Sequence, residues 1–412
     1  MVEERKTSFP KGRMKVLLLE NIDPLAKQAF ETAGYPVEQL RTSLGEDALA
    51  EKLQDVFVLG IRSNTQVTPK VLENARKLTA VGAFCIGTEQ INLPAASEAG
   101  VAVFNDPFSN TRSVVELVLG EMIMLSRGTF DKSMGMHDGI WDKSAEGSAE
   151  LRGKTLGIIG YGNIGKQLSV VAETFGMRVI FYNTSETVAL GNARRMYSMN
   201  QVLEASDIVS VHVSGKVSNE GLIGEKEFMN MKDGALFINA SRGKVVDLEA
   251  LARQIRSEKI RGAAIDVYPS EPKSNGPGFE SPLRGLPNVI LTPHIGGSTG
   301  EAQRLIAEAV SGRLISFLDT GDTGLSVNWP RIQLPSQKSD HRFLHYHRNV
   351  PGVLANLNGV LGSRGINVTQ QYLQTNADFG YAVVDVNKNY DDRVLIGELK
   401  AVPGTIRFRP LY

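Results

Sequence analysis

Residues 156–165 read LGIIGYGNIG, and the reading of this stretch decides the fold. Leu156 to Ile159 form a short apolar run, the mark of a buried strand. The run enters Gly160-Tyr161-Gly162-Asn163-Ile164-Gly165, and an amphipathic segment, Lys166–Phe175, continues from it. A strand, a glycine-spaced turn and a helix in that order predict a dinucleotide site. Gly160 permits the tight turn, Gly162 lets the backbone approach a pyrophosphate, and Gly165 lets the helix pack closely on the sheet. The helix start offers free N–H groups and the positive end of its dipole to phosphates. A second strand at Arg178–Asn183 completes the unit that the glycine pattern requires.

That second strand departs from expectation at its end. An Asp or Glu there would bond the adenosine ribose hydroxyls. This chain has Asn183, followed by Thr184 and Ser185. An amide can bond a hydroxyl, but it does not repel a 2′-phosphate. Arg194 and Arg195, about ten residues on, can meet such a phosphate or sit on the surface as most arginines do. NAD is the expected cofactor, and use of NADP stays open.

Outward from the glycine loop, apolar runs alternate with helical segments along most of the chain. Asp207–Val213, Ala235–Ser241, Gly262–Tyr268 and Asn288–His294 extend the sheet to six strands. Before it, Met14–Glu20, Val56–Ile61, Leu78–Phe84 and Val101–Asn105 outline another doubly wound unit without a glycine fingerprint. The long helix Ser113–Arg127 joins the two, and Gly135–Gly153 reads as polar and irregular. Thr299–Asp319 reads as a helix that can return to the first unit and make it discontinuous. Pro330–Asp340 has the composition of a linker. Beyond it the order is βαββαβ, the ferredoxin-like pattern. The expected architecture is α/β: a flavodoxin-like substrate-binding domain at 1–110 and 299–332, a Rossmann domain at 111–298, and a small C-terminal domain at 341–412.

Composition narrows the function. Forty-five basic and 45 acidic residues leave no net charge among 412, against nucleic-acid or membrane-surface binding. No run approaches a membrane span, and the N-terminus lacks the apolar core of a secretory signal. The single cysteine, Cys85, reads as a packed residue and fits a reducing compartment. A cytoplasmic location is the expectation.

Three residues past late strands carry the chemistry. Hydride transfer from a hydroxyl carbon needs a base for the proton and a cation for the substrate's acid group. Arg242 follows the strand Ala235–Ala240, and its planar fork suits a carboxylate. His294 follows Asn288–Pro293 and can take a proton near neutral pH. Glu271 lies between them in sequence and would orient the imidazole. Each alone is an ordinary surface or turn residue; together, after strands of one cofactor sheet, they make a site. In the first unit, Arg62 and Ser63 follow Val56–Ile61 and, with Asn110, fit a carboxylate or phosphate. Lys143 is a weaker candidate for the phosphate. Trp141 either anchors a subunit contact or folds back on its own domain. No metal site is expected, although His341, His345 and His347 share one strand face.

The loop at 160–165, Ile238–Arg242 (INASR), Gly262–Pro272 and Thr292–Thr299 (TPHIGGST) resemble the D-specific 2-hydroxyacid dehydrogenases. Arg62–Thr65, Phe84–Thr88, Pro107–Val114 and Gln370–Thr375 extend the resemblance, most closely to members that oxidise 3-phosphoglycerate and carry a short C-terminal ACT domain. The resemblance implies catalytic roles for Arg242, Glu271 and His294. It also implies cofactor contacts at Asn163, Ile164, Asn183, Ala240, Ser241, Arg242, Asp266, His294, Ile295, Gly296 and Gly297. It implies oxidation of 3-phosphoglycerate to 3-phosphohydroxypyruvate, the first step of serine synthesis. His347, Asn349 and Asn367 would hold an effector, L-serine, between two ACT domains, and a homotetramer is implied. The family usually has Asp where this chain has Asn183, and often Pro where it has Ser214. Another 2-hydroxyacid, such as 2-hydroxyglutarate, is an alternative substrate, and a non-catalytic dinucleotide-sensing regulator is an alternative function.

Overall fold

The computed structural model describes residues 10–272, 275–334, 341–387 and 393–411. The expected linker therefore lies partly outside the described residues, at 335–340. The chain forms two compact units, one of Met1–Pro107 with Gln303–Tyr412 and one of Phe108–Ala302.

In the first unit, five strands form a parallel sheet: β1 (Lys15–Leu18), β2 (Val37–Gln39), β3 (Val56–Ile61), β4 (Ala80–Ala83) and β5 (Ala102–Asn105). Their order, β2-β1-β3-β4-β5, is the flavodoxin-like one. Strand β2 is absent from the expected set because Val37-Glu38-Gln39 has no apolar run. Burial on both faces explains the near-continuous apolar character of β3 and β4. One face packs against Leu49, Val71 and Ala96. The other packs against Phe30 and against Val310, Leu314 and Phe317 of the helix Gly300–Thr320. After this helix the chain lies along β5, where Val327 N–H donates to the Val103 carbonyl at 2.9 Å.

The C-terminal part of the same unit has β13 (His341–Arg348), β14 (Val368–Thr375), β15 (Phe379–Val386) and β16 (Thr405–Pro410), with helices Val353–Ser363 and Arg393–Lys400. The sheet is antiparallel in the order β14-β15-β13-β16. One face of β13 buries Phe343 against Leu357, Leu361 and Leu395. Its other face puts Leu344 and Tyr346 into the same core as Phe317 and Trp329. Arg342 is buried at this join. It holds both oxygens of Asp385 at 2.6 and 2.7 Å and donates to the Thr320 carbonyl at 2.9 Å, capping the end of the long helix.

The second unit is a seven-stranded parallel sheet. Its strands are β6 (Thr155–Ile159), β7 (Arg178–Tyr182), β8 (Arg194–Arg195), β9 (Ile208–Val211), β10 (Ala235–Asn239), β11 (Ile260–Ile265) and β12 (Val289–Leu291). Their order is β12-β11-β10-β9-β6-β7-β8. The reversal of order at β6 and β9 makes the crevice where such sheets bind ligands. The expected six strands gain a seventh, β8, two arginines with no apolar signal. A second correction concerns the segment after the long helix Thr111–Arg127. Residues 129–137 are helical, so the irregular stretch starts later than Gly135. No residue of that helix is buried, which is why apolar periodicity is missing there. Among the described residues no helix is long and apolar enough to cross a membrane.

Candidate active site

The glycine loop is shaped by contacts that exclude side chains. Gly160 has φ 93°, and a Cβ there would lie 2.5 Å from the His212 carbonyl oxygen. A Cβ on Gly165 would lie 2.6 Å from the Gly160 carbonyl oxygen. Gly162 differs: it is the N-cap of the helix Asn163–Thr174, makes no side-chain cap, and has open space where a Cβ would point. A helix start beside open space fits a dinucleotide pyrophosphate. The Asn183 side chain turns back onto this loop. Its Oδ1 accepts from Tyr161 N–H at 3.0 Å, and its Nδ2 donates to the carbonyl and hydroxyl of Ser185, both at 3.0 Å. Arg195 donates to the Asn183 carbonyl at 3.3 Å. Both β8 arginines are exposed, and neither pairs with a carboxylate among the described residues.

At the carboxyl ends of β10, β11 and β12, three loops converge. The His294 imidazole meets Glu271 with Nδ1 and Oε2 at 2.8 Å. The other carboxylate oxygen accepts from Tyr268 N–H at 3.1 Å, so Glu271 is fixed before it meets the ring. The Tyr268 hydroxyl donates to the carbonyls of Ile265 and Thr292 at 2.8 and 3.0 Å, tying the two loops together. Asp266 holds the loop that carries His294. It accepts from the Thr292 hydroxyl at 2.7 Å and from the N–H groups of Ile295 and Gly296 at 2.8 and 2.9 Å. That grip supports the left-handed backbone of His294, at φ 54°.

Arg242 reaches the same place because Gly243 has no side chain. A Cβ on Gly243 would lie 1.9 Å from the Tyr268 carbonyl carbon, so only glycine allows the two backbones to meet. Asn239, fully buried, accepts from the N–H and hydroxyl of Ser241 at 3.1 and 2.7 Å and donates to the Arg242 carbonyl at 3.1 Å. Ala240 and Ser241 are themselves buried.

The electrostatics follow from these contacts. The hydrogen bond to Glu271 raises the His294 pKa above its ordinary value of 6.5, outweighing burial, and Asp266 adds to it. Burial favours the neutral acid of Glu271, but His294, the Tyr268 N–H and the Arg242 charge together hold its pKa below the usual carboxylate range. Arg242 thus acts on both partners. The arrangement is a base, an acid that orients it, and a cation, at one edge of a cofactor sheet.

Glu121, on the helix Thr111–Arg127, lies outside the expected site residues. It is buried, neither carboxylate oxygen has a hydrogen-bond partner among the described residues, and burial pushes its pKa up to about 8, with Asp266 contributing. A lone Glu in an apolar helical stretch was the available signal.

The other expected residues are placed less decisively. Asn110 caps the helix Thr111–Arg127 by position and packs against the Gly297 backbone, with its Oδ1 buried and without a hydrogen-bond partner among the described residues. It belongs to the second unit, not the first, because the chain crosses over at Pro107. Arg62 is half-buried at the end of β3, and Ser63 is exposed beside it. Lys143 and Trp141 are exposed in an irregular stretch.

In the C-terminal sheet His345 and His347 are buried, and burial lowers the pKa of each, that of His345 to about 3. Among the described residues no three metal-binding side chains gather. Asn349 follows β13 and donates to the Asn376 carbonyl at 2.7 Å. Asn367 precedes β14. The register pairs Arg348 with Phe379 at one end of the sheet, and both His341 and Val368 with Val386 at the other. Asn349 and Asn367 of one chain are therefore about 20 Å or more apart, at a rise near 3.3 Å per residue. They cannot touch the same small ligand within one chain.

Comparison with known proteins adds to this geometry. The NAD binding domain of the D-isomer specific 2-hydroxyacid dehydrogenases matches residues 119–296, and the AHAS small subunit-like ACT domain matches 343–407. A D-3-phosphoglycerate dehydrogenase of Dictyostelium discoideum is 48% identical, over 98% of this chain and 99% of its own. One of Escherichia coli K12 is 46% identical, over 99% and 100%. Among solved structures, the TT0316 protein of Thermus thermophilus superposes with a TM-score of 0.70 at 27% identity, covering 76% of this chain and all of that one. A glyoxylate reductase of Paecilomyes thermophila gives 0.68 at 25% identity, covering 76% of this chain and 98% of its own.

Proposed function

This chain belongs to the D-isomer-specific 2-hydroxyacid dehydrogenase family of NAD-dependent oxidoreductases, and from that premise we propose that it oxidises 3-phospho-D-glycerate to 3-phosphohydroxypyruvate, the entry to L-serine synthesis. The observation that carries the reading is the 2.8 Å contact between His294 and Glu271, with Arg242 acting on both. The substrate named by the relatives at 46–48% identity supports the choice of hydroxyacid.

Arg242 binds the substrate carboxylate and sets the C2 carbon in place. His294 presents Nε2, since Nδ1 is engaged by Glu271, and takes the proton from the C2 hydroxyl. A bound NAD would supply the hydride acceptor for C2. The imidazolium that forms is stabilised by the Glu271 carboxylate, which is already ionised. Gly160, Gly162, Asn163, Ile164 and Gly165 hold the pyrophosphate end of the cofactor. Asn183, Ala240, Ser241, Asp266 and Ile295 to Gly297 line the rest. Arg62 and Ser63, with Asn110 and Lys143, take the substrate's anionic groups. The assignment of residues 1–110 with 299–332 to substrate, 111–298 to cofactor and 341–412 to effector belongs to the same reading.

His347, Asn349 and Asn367 bind L-serine between two C-terminal domains, and serine inhibits. The separation of Asn349 from Asn367 supports a site shared by two copies; a homotetramer is the assembly the family resemblance implies. With Cys85 as its lone cysteine the chain can form no intrachain disulfide, which suits a reducing cytoplasm.

The test is a panel of hydroxyacids, 3-phosphoglycerate and 2-hydroxyglutarate among them, each with NAD and NADP. Preference for 3-phosphoglycerate with NAD is expected, together with loss of turnover but retained NAD binding in His294→Ala. Full activity in that variant refutes the mechanism. Inhibition by L-serine, weakened in Asn349→Ala, is expected of the effector site; an intact enzyme indifferent to serine refutes it.

A further inference from the structure

We infer that Glu20, at the end of β1, is a positioning residue that shapes the loop Arg62–Thr65 for its anion. The inference rests on the reading that Arg62 and Ser63 receive an anionic group of the substrate.

The loop begins where β3 ends. It is gripped from both sides by side chains distant in sequence. The Glu20 carboxylate accepts from Asn64 N–H at 3.0 Å through Oε2 and from Thr65 N–H at 2.8 Å through Oε1. On the other flank, Gln90 donates from Nε2 to the Arg62 carbonyl at 2.6 Å. Glu20 is 7% exposed and Gln90 8%, so neither grip is diluted by solvent. The backbone accepts strain to place the carboxylate. Glu20 and its neighbour Asn21 both lie in the left-handed region, at φ 61° and 52°. Non-glycine residues adopt that region in succession only where the surroundings impose it. Here the turn is held by Glu20 N–H on the Thr42 carbonyl and Asn21 N–H on the Leu40 carbonyl, at 3.2 and 3.4 Å.

The effect on the ligand is one of subtraction. Successive N–H groups in a turn after a strand can cradle an anion. Glu20 occupies two of them, those of Asn64 and Thr65. What remains for the ligand is the Arg62 guanidinium, which pairs with no carboxylate among the described residues, and the exposed Ser63. Recognition then falls on a directed fork rather than on a general cradle. The same device serves the second unit, where Asp266 accepts from two consecutive N–H groups beside His294. In each unit a carboxylate at a strand end stiffens the loop that bears the working side chain.

The test uses the full-length enzyme and Glu20→Gln, whose amide can satisfy one of the two N–H groups but turns a donor toward the other. The KM for 3-phosphoglycerate is expected to rise about tenfold or more while kcat stays within about threefold, the pattern of lost ground-state binding. NAD affinity, read by quenching of protein fluorescence, is expected to be unchanged. Gln90→Leu, which loosens the opposite flank, is expected to give the same split. The deciding measurement is a double-mutant cycle with Arg62→Ala: in that background Glu20→Gln should add little, because both act on one contact. Fully additive effects, or a wild-type KM in Glu20→Gln, overturn the inference. The wild type measured alongside separates the two levels. Failure of the wild type to turn over 3-phosphoglycerate sinks the substrate reading, whereas normal wild-type turnover with an unaltered Glu20→Gln sinks only the role of Glu20.

Discussion

Glu271→Gln isolates the charge that acts on His294. The amide keeps an oxygen to accept from Nδ1–H, so the geometry survives while the charge is lost. Nδ1 and Oε2 are 2.8 Å apart. Two unit charges at that separation attract by about 1.5 kcal/mol in bulk water and about 6 kcal/mol at an effective dielectric of 20. The two side chains are 48% and 35% exposed. Screening at that exposure places the net value toward the lower bound, about 1–2 kcal/mol. The sign is fixed by the direction of the wild-type shift. Glu271 raises the His294 pKa, so its neutralisation lowers that pKa. Oxidation requires neutral imidazole, and activity is therefore lost as pH falls through the His294 pKa. In the variant the acidic limb of the kcat/KM profile should move to lower pH, while the plateau falls roughly tenfold as the imidazolium loses its counter-charge. The assay is steady-state oxidation of 3-phosphoglycerate from about pH 5.5 to about 9.5 at constant ionic strength, following formation of the reduced nicotinamide. An acidic limb that stays in place or moves upward refutes the argument.

Gly243→Ala should separate the Arg242 loop from Tyr268, since the new methyl has no room against backbone; a cost of about 1–3 kcal/mol in urea unfolding and a large loss of kcat/KM are expected. Glu121 is neutral when folded and ionised when unfolded between its ordinary value of 4.5 and about 8. Folding therefore holds an extra proton, and stability should fall as pH rises through that window, by a few kcal/mol. Glu121→Gln should flatten this slope, which denaturation at several pH values measures. Asn183→Asp should shift the ratio of NAD to NADP affinities toward NAD by tenfold or more, because a carboxylate repels a 2′-phosphate; an unchanged ratio would show that the strand end does not set the choice.

Much of this site was legible in sequence because local physics wrote it there. The glycines at 160, 162 and 165 answer steric demands of one turn and one helix start. Arg242, Glu271 and His294 each follow an apolar run closely enough to be placed at a strand end. Where the signal is weak, so was the reading: β2 and β8 lack apolar runs, and the helix at 129–137 buries nothing.

Sequence by itself determined that a dinucleotide sheet exists, where its loop lies, and which side chains stand past its strands. The tertiary structure decided what those side chains meet. Glu20 grips residues 44 and 45 positions away, and Gly243 matters only because Tyr268 lies against it. Asn349 and Asn367 are 18 positions apart in the chain yet at opposite ends of one sheet. Such pairings depend on strand order and register, which are set by the packing of the whole core and have no local period to betray them.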